Sequence, residues 1–210
     1  MDYHKEIIII LDFGSQYTQL IARKVRELGV YCEIYPYNIN LEKIVSLKPR
    51  GIILSGGPKS VTEKDAPFCD RRIFTLKTPV LGICYGLQLI TKVFRGKVDR
   101  SKKREYGKAH IFLDKNDNFL KGIKDGDTVW MSHQDRIFRI PEGFELLARS
   151  DNSPYAVIKK EDAPIYGVQF HPEVHHTPKG KRILKNFLFR ICKVKGLFSP
   201  KSFVEQSIEQ

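Results

Sequence analysis

The sequence lacks paired cysteines, long apolar runs and glycine-rich nucleotide motifs. Its four cysteines are far apart and form no C-x-x-C pair, which argues against a disulfide scaffold and a zinc ribbon; they are Cys32, Cys69, Cys84 and Cys192. The opening residues are polar, and the apolar run at residues 7–11 is too short for a signal or membrane segment. We therefore expect a cytoplasmic protein without membrane association.

Nucleotide-binding fingerprints are also missing. Residues 13–16 read Phe-Gly-Ser-Gln after the first apolar run and lack the G-x-G-x-x-G series, and no G-x-x-x-x-G-K-[ST] motif occurs. We assign no nucleotide site to this chain.

Acidic residues are few relative to basic ones. Lys and Arg number 36 against 24 Asp and Glu, which gives a formal charge of +12. The basic residues are dispersed, with the densest groups at residues 95–104 and 179–185, and no RNA- or DNA-binding module accompanies them. This pattern favours a solvated basic face, or a surface for an acidic partner, over nucleic-acid binding.

The first ninety residues alternate between apolar strands and amphipathic helices. This alternation is typical of a doubly wound parallel sheet. The pattern predicts strands at residues 6–12, 30–35, 51–54 and 80–83, and helices following residue 15, at 41–47, at 67–76 and after residue 84.

After the helix that follows Cys84, the sequence pattern changes to short strands separated by turn residues. We predict strands near residues 107–113, 127–131, 138–140, 144–150, 155–160 and 164–170. Residues 131–135 (Met-Ser-His-Gln-Asp) are interpreted as a polar turn, in which His133 could be catalytic, structural or solvated. A final helix is predicted from about residue 178 to residue 192, with its apolar side chains on one face.

Residues 78–90 carry the strongest functional signal. A short apolar run meets a helical pattern at Cys84, which lies between Gly82 and Gly86. This G-x-C-x-G spacing is the cysteine form of the nucleophile elbow, a tight strand-to-helix turn that exposes the central side chain. The helix N-terminus favours the thiolate, which is the nucleophile. A buried structural cysteine is the competing interpretation. The catalytic interpretation therefore requires other residues that can activate the thiol.

A candidate base follows the last predicted strand. His171 and Glu173 are separated by Pro172, so that an extended chain projects both side chains to the same side. A cysteine nucleophile requires a base, and the base requires a group that orients it. The carboxyl ends of parallel strands meet at one edge of the sheet, where Cys84 and His171 could meet despite their separation in sequence.

Two other patterns remain open. A metal cluster of His171, Glu173, His175 and His176 departs from the helical H-E-x-x-H spacing, and His175 and His176 are more simply loop residues. The Ser-Gly-Gly-Pro sequence at residues 55–58 could present backbone N–H groups to an oxyanion or form a plain turn.

Three motifs in order resemble the class I (triad) glutamine amidotransferases: residues 53–58 (ILSGGP), 81–88 (LGICYGLQ) and 167–173 (GVQFHPE). Within that family, residues 10–17 (ILDFGSQY) and 130–133 (WMSH) are most similar to the amidotransferase domains of guanosine monophosphate (GMP) synthetases. The resemblance covers residues 5–193 and implies a flavodoxin-like, doubly wound, mostly parallel α/β sheet with an additional small antiparallel portion.

The resemblance also implies the roles of the site residues. Cys84 is the implied nucleophile, His171 the base and Glu173 the group that orients it, and the N–H groups of Gly57 and Tyr85 are the implied oxyanion donors. Glutamine is held by a further set: Gly56, Gln88, Ser132, His133, Gln134 and Asp135. Gln134 stands where these synthetases commonly have glycine.

The implied function is hydrolysis of glutamine to glutamate and ammonia, with the ammonia used to aminate xanthosine monophosphate. The glutaminase reaction needs no metal, whereas ATP and magnesium are expected in a separate synthetase (ATP-pyrophosphatase) domain of the same polypeptide. We expect an amidotransferase domain at residues 1–193, and at residues 194–210 a linker and the start of that synthetase domain.

Three alternatives stay open at this point. The chain could serve anthranilate, aminodeoxychorismate or carbamoyl phosphate synthesis, although the motif at residues 10–17 disfavours this. It could also be a cysteine peptidase or γ-glutamyl hydrolase on a similar fold. A silent binding module is the third alternative, but an intact triad argues against it.

Overall fold

A computed structural model describes residues 6–198, apart from the side chains of residues 101–104. The strands are β1 (Ile8–Asp12), β2 (Cys32–Pro36), β3 (Gly51–Leu54), β4 (Val80–Ile83), β5 (Lys97–Leu113), β6 (Asp127–Arg139), β7 (Phe144–Ser150), β8 (Val157–Lys160) and β9 (Ile165–Val168). The α-helices are α1 (Thr18–Glu27), α2 (Leu41–Leu47), α3 (Tyr85–Val93) and α4 (Gly180–Asn186).

The strands form one mixed sheet in the order β2-β1-β3-β4-β9-β8-β7-β5-β6. The first five strands of this order pair in parallel, and the remaining neighbours pair antiparallel. The predicted doubly wound α/β class is confirmed. The antiparallel portion continues the same sheet on the far side of β9, so that β6 is an edge strand.

Helices cover both faces of the parallel region. Ile8 and Ile10 of β1 pack with α1 and α4 on one face, whereas Ile9 and Leu11 pack with α2 and α3 on the other. All four side chains have no solvent exposure. This two-sided burial is why the strand reads as an unbroken apolar run, since a strand covered on both faces has no solvent-facing side.

Two predicted helices differ from the observed ones. The segment at residues 67–76 contains only a short 3-10 helix, Arg71–Thr75, in which Ile73 is the buried residue. A single buried side chain gives little reason for a longer amphipathic helix. The last helix begins at Gly180, two residues later than predicted, and continues past α4 as a π-helical turn over Phe187–Ile191.

The turn predicted at residues 131–135 is wrong. These residues lie within β6, which joins the two predicted strands 127–131 and 138–140 into one. Their partner strand β5 is longer than predicted and shifts register between Arg100 and Glu105. The polar residues suggested a turn, but cross-strand pairing with β5 holds the backbone extended.

Residues 193–198 pack back onto the domain. The carboxylate of Glu6 accepts hydrogen bonds from the N–H groups of Lys195 and Gly196 at 2.9–3.2 Å, and the Phe198 N–H donates to the Gly29 carbonyl at 2.9 Å. The helical pattern expected at residues 202–210 lies outside the described residues. Among residues 6–198, no helix is both long enough and apolar enough to cross a membrane.

Candidate active site

Cys84 occupies the junction between β4 and α3. Its backbone has φ 52° and ψ −103°, and its N–H donates to the Val168 carbonyl of β9 at 2.8 Å. A positive φ at a non-glycine residue costs on the order of 1–3 kcal/mol and persists only where the surroundings enforce it. The sheet therefore holds Cys84 in a strained conformation at the N-terminus of α3.

The two glycines that flank Cys84 permit this turn. A Cβ on Gly82 would lie 2.5 Å from the Gly86 carbonyl carbon, and a Cβ on Gly86 would lie 2.5 Å from the Leu54 carbonyl oxygen. These separations are too short for any side chain, so the G-x-C-x-G spacing reflects direct contact between the strand, the helix and β3.

His171 and Glu173 form a buried pair just after β9. His171 Nδ1 lies 2.7 Å from Glu173 Oε1, and the exposed fractions of the two residues are 4% and 0%. Burial alone lowers the pKa of His171, but the adjacent Glu173 carboxylate and Cys84 sulfur raise it well above its usual value. The imidazole is thus favoured in its protonated form beside the Cys84 thiol.

Neighbouring elements fix the loop that carries this pair. The His171 N–H donates to the Trp130 carbonyl at 3.0 Å, and the Thr177 hydroxyl donates to the His171 carbonyl at 2.7 Å. Gly180 at the start of α4 lies so close to Pro172 that a Cβ would meet the Pro172 carbonyl oxygen at 1.9 Å. The loop is therefore held from both sides by β6 and α4.

The Cys84 sulfur has two further polar neighbours. Its S–H donates to the Ser132 carbonyl at 3.6 Å, and the Gln169 side-chain amide donates to the sulfur at 3.8 Å. Sequence reasoning gave Gln169 no role. The available signal was a polar residue in an otherwise apolar strand end, two positions before His171.

The predicted oxyanion donors Gly57 and Tyr85 lie beside the same thiol. Both residues and Cys84 line one cavity of about 340 Å³. Neither amide N–H donates to a backbone carbonyl of residues 6–198, and that of Tyr85 is one of the unpaired donors at the start of α3. Gly57 packs closely, since a Cβ there would lie 3.0 Å from the Phe13 carbonyl oxygen.

Most of the residues predicted to hold glutamine line this cavity of about 340 Å³, which is the larger of two cavities that Cys84 lines among the described residues. They are Gln88, Ser132, His133, Gln134 and Asp135. Gly56 lies elsewhere, packed against the His171 ring, where an added Cβ would be 3.2 Å from Cε1. The residues of β6 that suggested a turn thus form one wall of a cavity that Cys84 also lines.

Hydrogen bonds converge on Asp135 in this wall. Its carbonyl accepts from the Gln88 side-chain amide at 3.2 Å, and His133 Nδ1 lies 2.9 Å from the same oxygen. The Asp135 carboxylate accepts from the Ser60 hydroxyl, while its Oδ1 atom is buried without a partner among the described residues. A buried carboxylate oxygen in this state is suited to a cationic ligand group.

Glu105 is a site residue that sequence reasoning missed. Its Oε2 atom lies 3.1 Å from His133 Nε2, and both residues are buried. Glu105 is directly opposite His133 in the β5–β6 pairing. His133, which lines the larger cavity, therefore contacts both the Glu105 carboxylate and the Asp135 carbonyl. Glu105 supports this part of the wall from outside the cavity lining.

The alternative metal cluster receives no support from the described residues, in which no group of three or more His, Cys, Asp or Glu side chains is placed to hold a metal ion. The His176 ring packs on Trp130 with centroids 4.4 Å apart, and His175 packs against His176. These two histidines are loop residues outside the pair that contacts Cys84.

The other three cysteines form no disulfide bond and are buried outside the site that contains Cys84 and His171. Burial raises the pKa of Cys32 to about 11 and that of Cys69 to about 12, and it also raises the pKa of Cys192. A buried thiol of high pKa is a poor nucleophile.

The family model for class-I glutamine amidotransferases matches residues 9–191 of the sequence. The chain belongs to this family. Among solved structures, it resembles a GMP synthase subunit, named as putative, from Thermoplasma acidophilum, with 33% identity, a TM-score of 0.81 and coverage of 96% of this chain and 97% of the other. A glutamine amidotransferase from Thermotoga maritima shares the fold, with a TM-score of 0.72 at 18% identity over 91% of this chain and 100% of the other.

Curated relatives of this amidotransferase are longer proteins. It is 52% identical over 205 residues to the GMP synthase [glutamine-hydrolyzing] of Caldicellulosiruptor saccharolyticus, covering 98% of this chain and 40% of the relative. It is 53% identical over 207 residues to the protein of the same name from Nitratiruptor sp., covering 97% and 40%. The chain thus spans about two fifths of the length of these relatives.

Proposed function

We propose that this chain hydrolyses glutamine to glutamate and ammonia at Cys84. The observation that carries the proposal is the position of the Cys84 thiol, on a strained backbone at the start of α3. The thiol lies between the His171–Glu173 pair and a cavity lined by Gly57 and Tyr85, whose N–H groups are unpaired among the described residues. These are the parts that nucleophilic acyl transfer requires.

The reaction proceeds in two steps. The Cys84 thiolate attacks the side-chain amide of glutamine, and the N–H groups of Gly57 and Tyr85 stabilise the oxyanion. His171 protonates the departing nitrogen, so that ammonia leaves and a γ-glutamyl thioester remains. Water then gives a proton to His171 and attacks the thioester, which releases glutamate and regenerates the thiolate. Glu173 orients His171 and stabilises its protonated form.

The larger cavity holds the amino-acid end of glutamine in this proposal. The unpartnered Oδ1 atom of buried Asp135 is suited to accept from the α-ammonium group. Gln88 and residues 132–134 complete the wall, and the absence of a side chain on Gly56 leaves room for the His171 ring.

We further propose that the ammonia serves the amination of xanthosine monophosphate to GMP. The support is about 50% identity to proteins named GMP synthase [glutamine-hydrolyzing], of which this chain matches only 40%. The remaining part of such a polypeptide would be the synthetase domain that uses ATP and magnesium. Coupling of the two domains predicts that this chain alone turns over glutamine slowly.

The test measures ammonia and glutamate released from glutamine by this chain. Cys84→Ala should abolish both products, whereas Cys69→Ala is the matched control and should retain them. Addition of the synthetase domain with ATP, magnesium and xanthosine monophosphate should raise the rate and yield GMP. Glutamate without GMP in the assembled system would contradict the synthetase assignment. Formation of neither glutamate nor GMP there would contradict the glutaminase assignment.

A further inference from the structure

Cys84 also lines a second cavity, of about 200 Å³. It shares Gly57, Pro58, Cys84 and Ser132 with the larger cavity, so these four residues form a neck between the two. His171 lines only the smaller cavity, whereas Gln88 and Asp135 line only the larger one. The thiol therefore faces two spaces of different chemistry.

The loop at residues 14–17 forms the outer wall of the smaller cavity. It belongs to the motif at residues 10–17, to which the mechanism above assigns no role. The Tyr17 ring meets the His171 ring edge-on, with centroids 5.1 Å apart. The Tyr17 N–H donates to the Ser15 hydroxyl at 3.0 Å, and the Gly14 N–H donates to the Asp12 carboxylate at 2.9 Å. The loop is thus fixed by its own hydrogen bonds at a set distance from the base.

Given the proposed function, the two cavities hold different reactants: the γ-glutamyl chain in one, and the departing ammonia and attacking water in the other. The γ-glutamyl chain occupies the larger cavity throughout the thioester stage. When the C–N bond breaks, the nitrogen takes its proton from His171 and is released on the side where His171 lies. The attacking water must give a proton to the same imidazole and therefore approaches from the same side.

We propose that the smaller cavity is the site of ammonia departure and of water entry, and that residues 14–17 limit which nucleophile reaches the thioester. The ligands of this site are small neutral amines and water. The inference rests on the proposed glutaminase function, and it gives the loop a role in selecting the nucleophile separate from glutamine binding.

Hydroxylamine is a suitable probe because it is larger than water and also attacks thioesters. Its nitrogen forms a bond to the γ-carbonyl, the C–S bond breaks, its proton passes to His171, and γ-glutamyl hydroxamate is released. The ratio of hydroxamate to glutamate therefore reports access to the thioester. We would measure it on the chain together with the synthetase domain and its ligands, so that slow turnover of the isolated chain does not obscure the result.

The variants place bulk in one cavity at a time. Gln16 and Lys59 are both exposed; Gln16 lines only the smaller cavity of the two, and Lys59 only the larger. Gln16→Trp should lower the hydroxamate-to-glutamate ratio several-fold with little change in the KM for glutamine, and Gln16→Ala should raise the ratio. Lys59→Trp is the matched control, which should change the KM and leave the ratio unaltered.

Two failures are distinguishable. If the unmodified enzyme forms neither glutamate nor hydroxamate, the proposed function is wrong. If it forms both, but the ratio is insensitive to Gln16→Trp and Gln16→Ala, or responds equally to Lys59→Trp, the smaller cavity does not control access and the inference is overturned.

Discussion

The parallel and antiparallel regions of the sheet contribute differently to the site. The parallel region presents Cys84 after β4 and the His171–Glu173 pair after β9, at neighbouring strand ends. The antiparallel region contributes the cavity wall on β6 and the buried Glu105 on β5 that supports it. The proposed chemistry therefore resides in one region and the proposed recognition of glutamine largely in the other. Substitutions in the first should reduce kcat, and those in the second should raise the KM.

The largest effect is expected for Cys84→Ala. Loss of the only thiol at the elbow removes the thioester, and glutaminase activity should fall by roughly 10⁴-fold or more, as for other triad nucleophiles. A glutamine-analogue electrophile should label Cys84 and leave the three thiols of raised pKa unmodified. Adduct mapping by mass spectrometry checks this, and an adduct on Cys32, Cys69 or Cys192 would contradict the assignment.

Glu173→Gln should cost less than His171→Ala, because it leaves an imidazole in place but orients it poorly. It also has a pH signature. The Glu173 carboxylate raises the pKa of His171, so the imidazole stays protonated to higher pH than an ordinary histidine does. Removal of that charge lowers the pKa, and the alkaline limb of the kcat profile should move to lower pH.

The pH–rate profile of Glu173→Gln, measured beside that of the unmodified enzyme, tests this electrostatic role. An unmoved alkaline limb would mean that Glu173 orients His171 without stabilising its charge. A loss equal to that of His171→Ala would contradict the separate roles assigned to the two residues.

Glu105→Gln tests the antiparallel region. The substitution removes the carboxylate that lies 3.1 Å from His133 Nε2 with little change of shape, and loss of a buried contact with a charged group costs about 1.5–3 kcal/mol. If this cost falls on glutamine binding, the KM should rise by roughly 10- to 100-fold with kcat nearly unchanged. Glu145→Gln on β7 is the control, because Glu145 pairs with Lys115 outside the site. A fall in kcat at constant KM would place Glu105 with the chemistry.

The smallest effect is expected at Gln134. Its side chain is exposed at the rim of the larger cavity. Gln134→Gly should lower the free energy of unfolding by about 0.5–1 kcal/mol, because glycine weakens a strand interior, and should change the KM by less than about tenfold. Steady-state kinetics and urea unfolding measure the two effects. A large fall in kcat would contradict the placement of Gln134 at the rim.

Much of the parallel region was predictable because its signals are local. Runs of buried β-branched residues indicate strands covered on both faces, and the spacing of Gly82 and Gly86 reflects a contact made within one strand-to-helix turn. His171 and Glu173 are two residues apart, so their juxtaposition depends mainly on the backbone between them. The order of the strands confirms the expected winding.

Long-range pairing decided the rest. Residues 132–135 are polar yet extended, because β5 pairs with Ser132, His133 and Asp135 and all four residues line a cavity. Glu105 meets His133 only through the register of two strands, and Gln169 reaches Cys84 only because β9 is adjacent to β4. The sequence by itself determined the elbow, the His-Glu pair and the winding, since each depends on neighbouring residues. Only the tertiary structure decided the cavity wall and its support, because strand register is set by packing across the sheet.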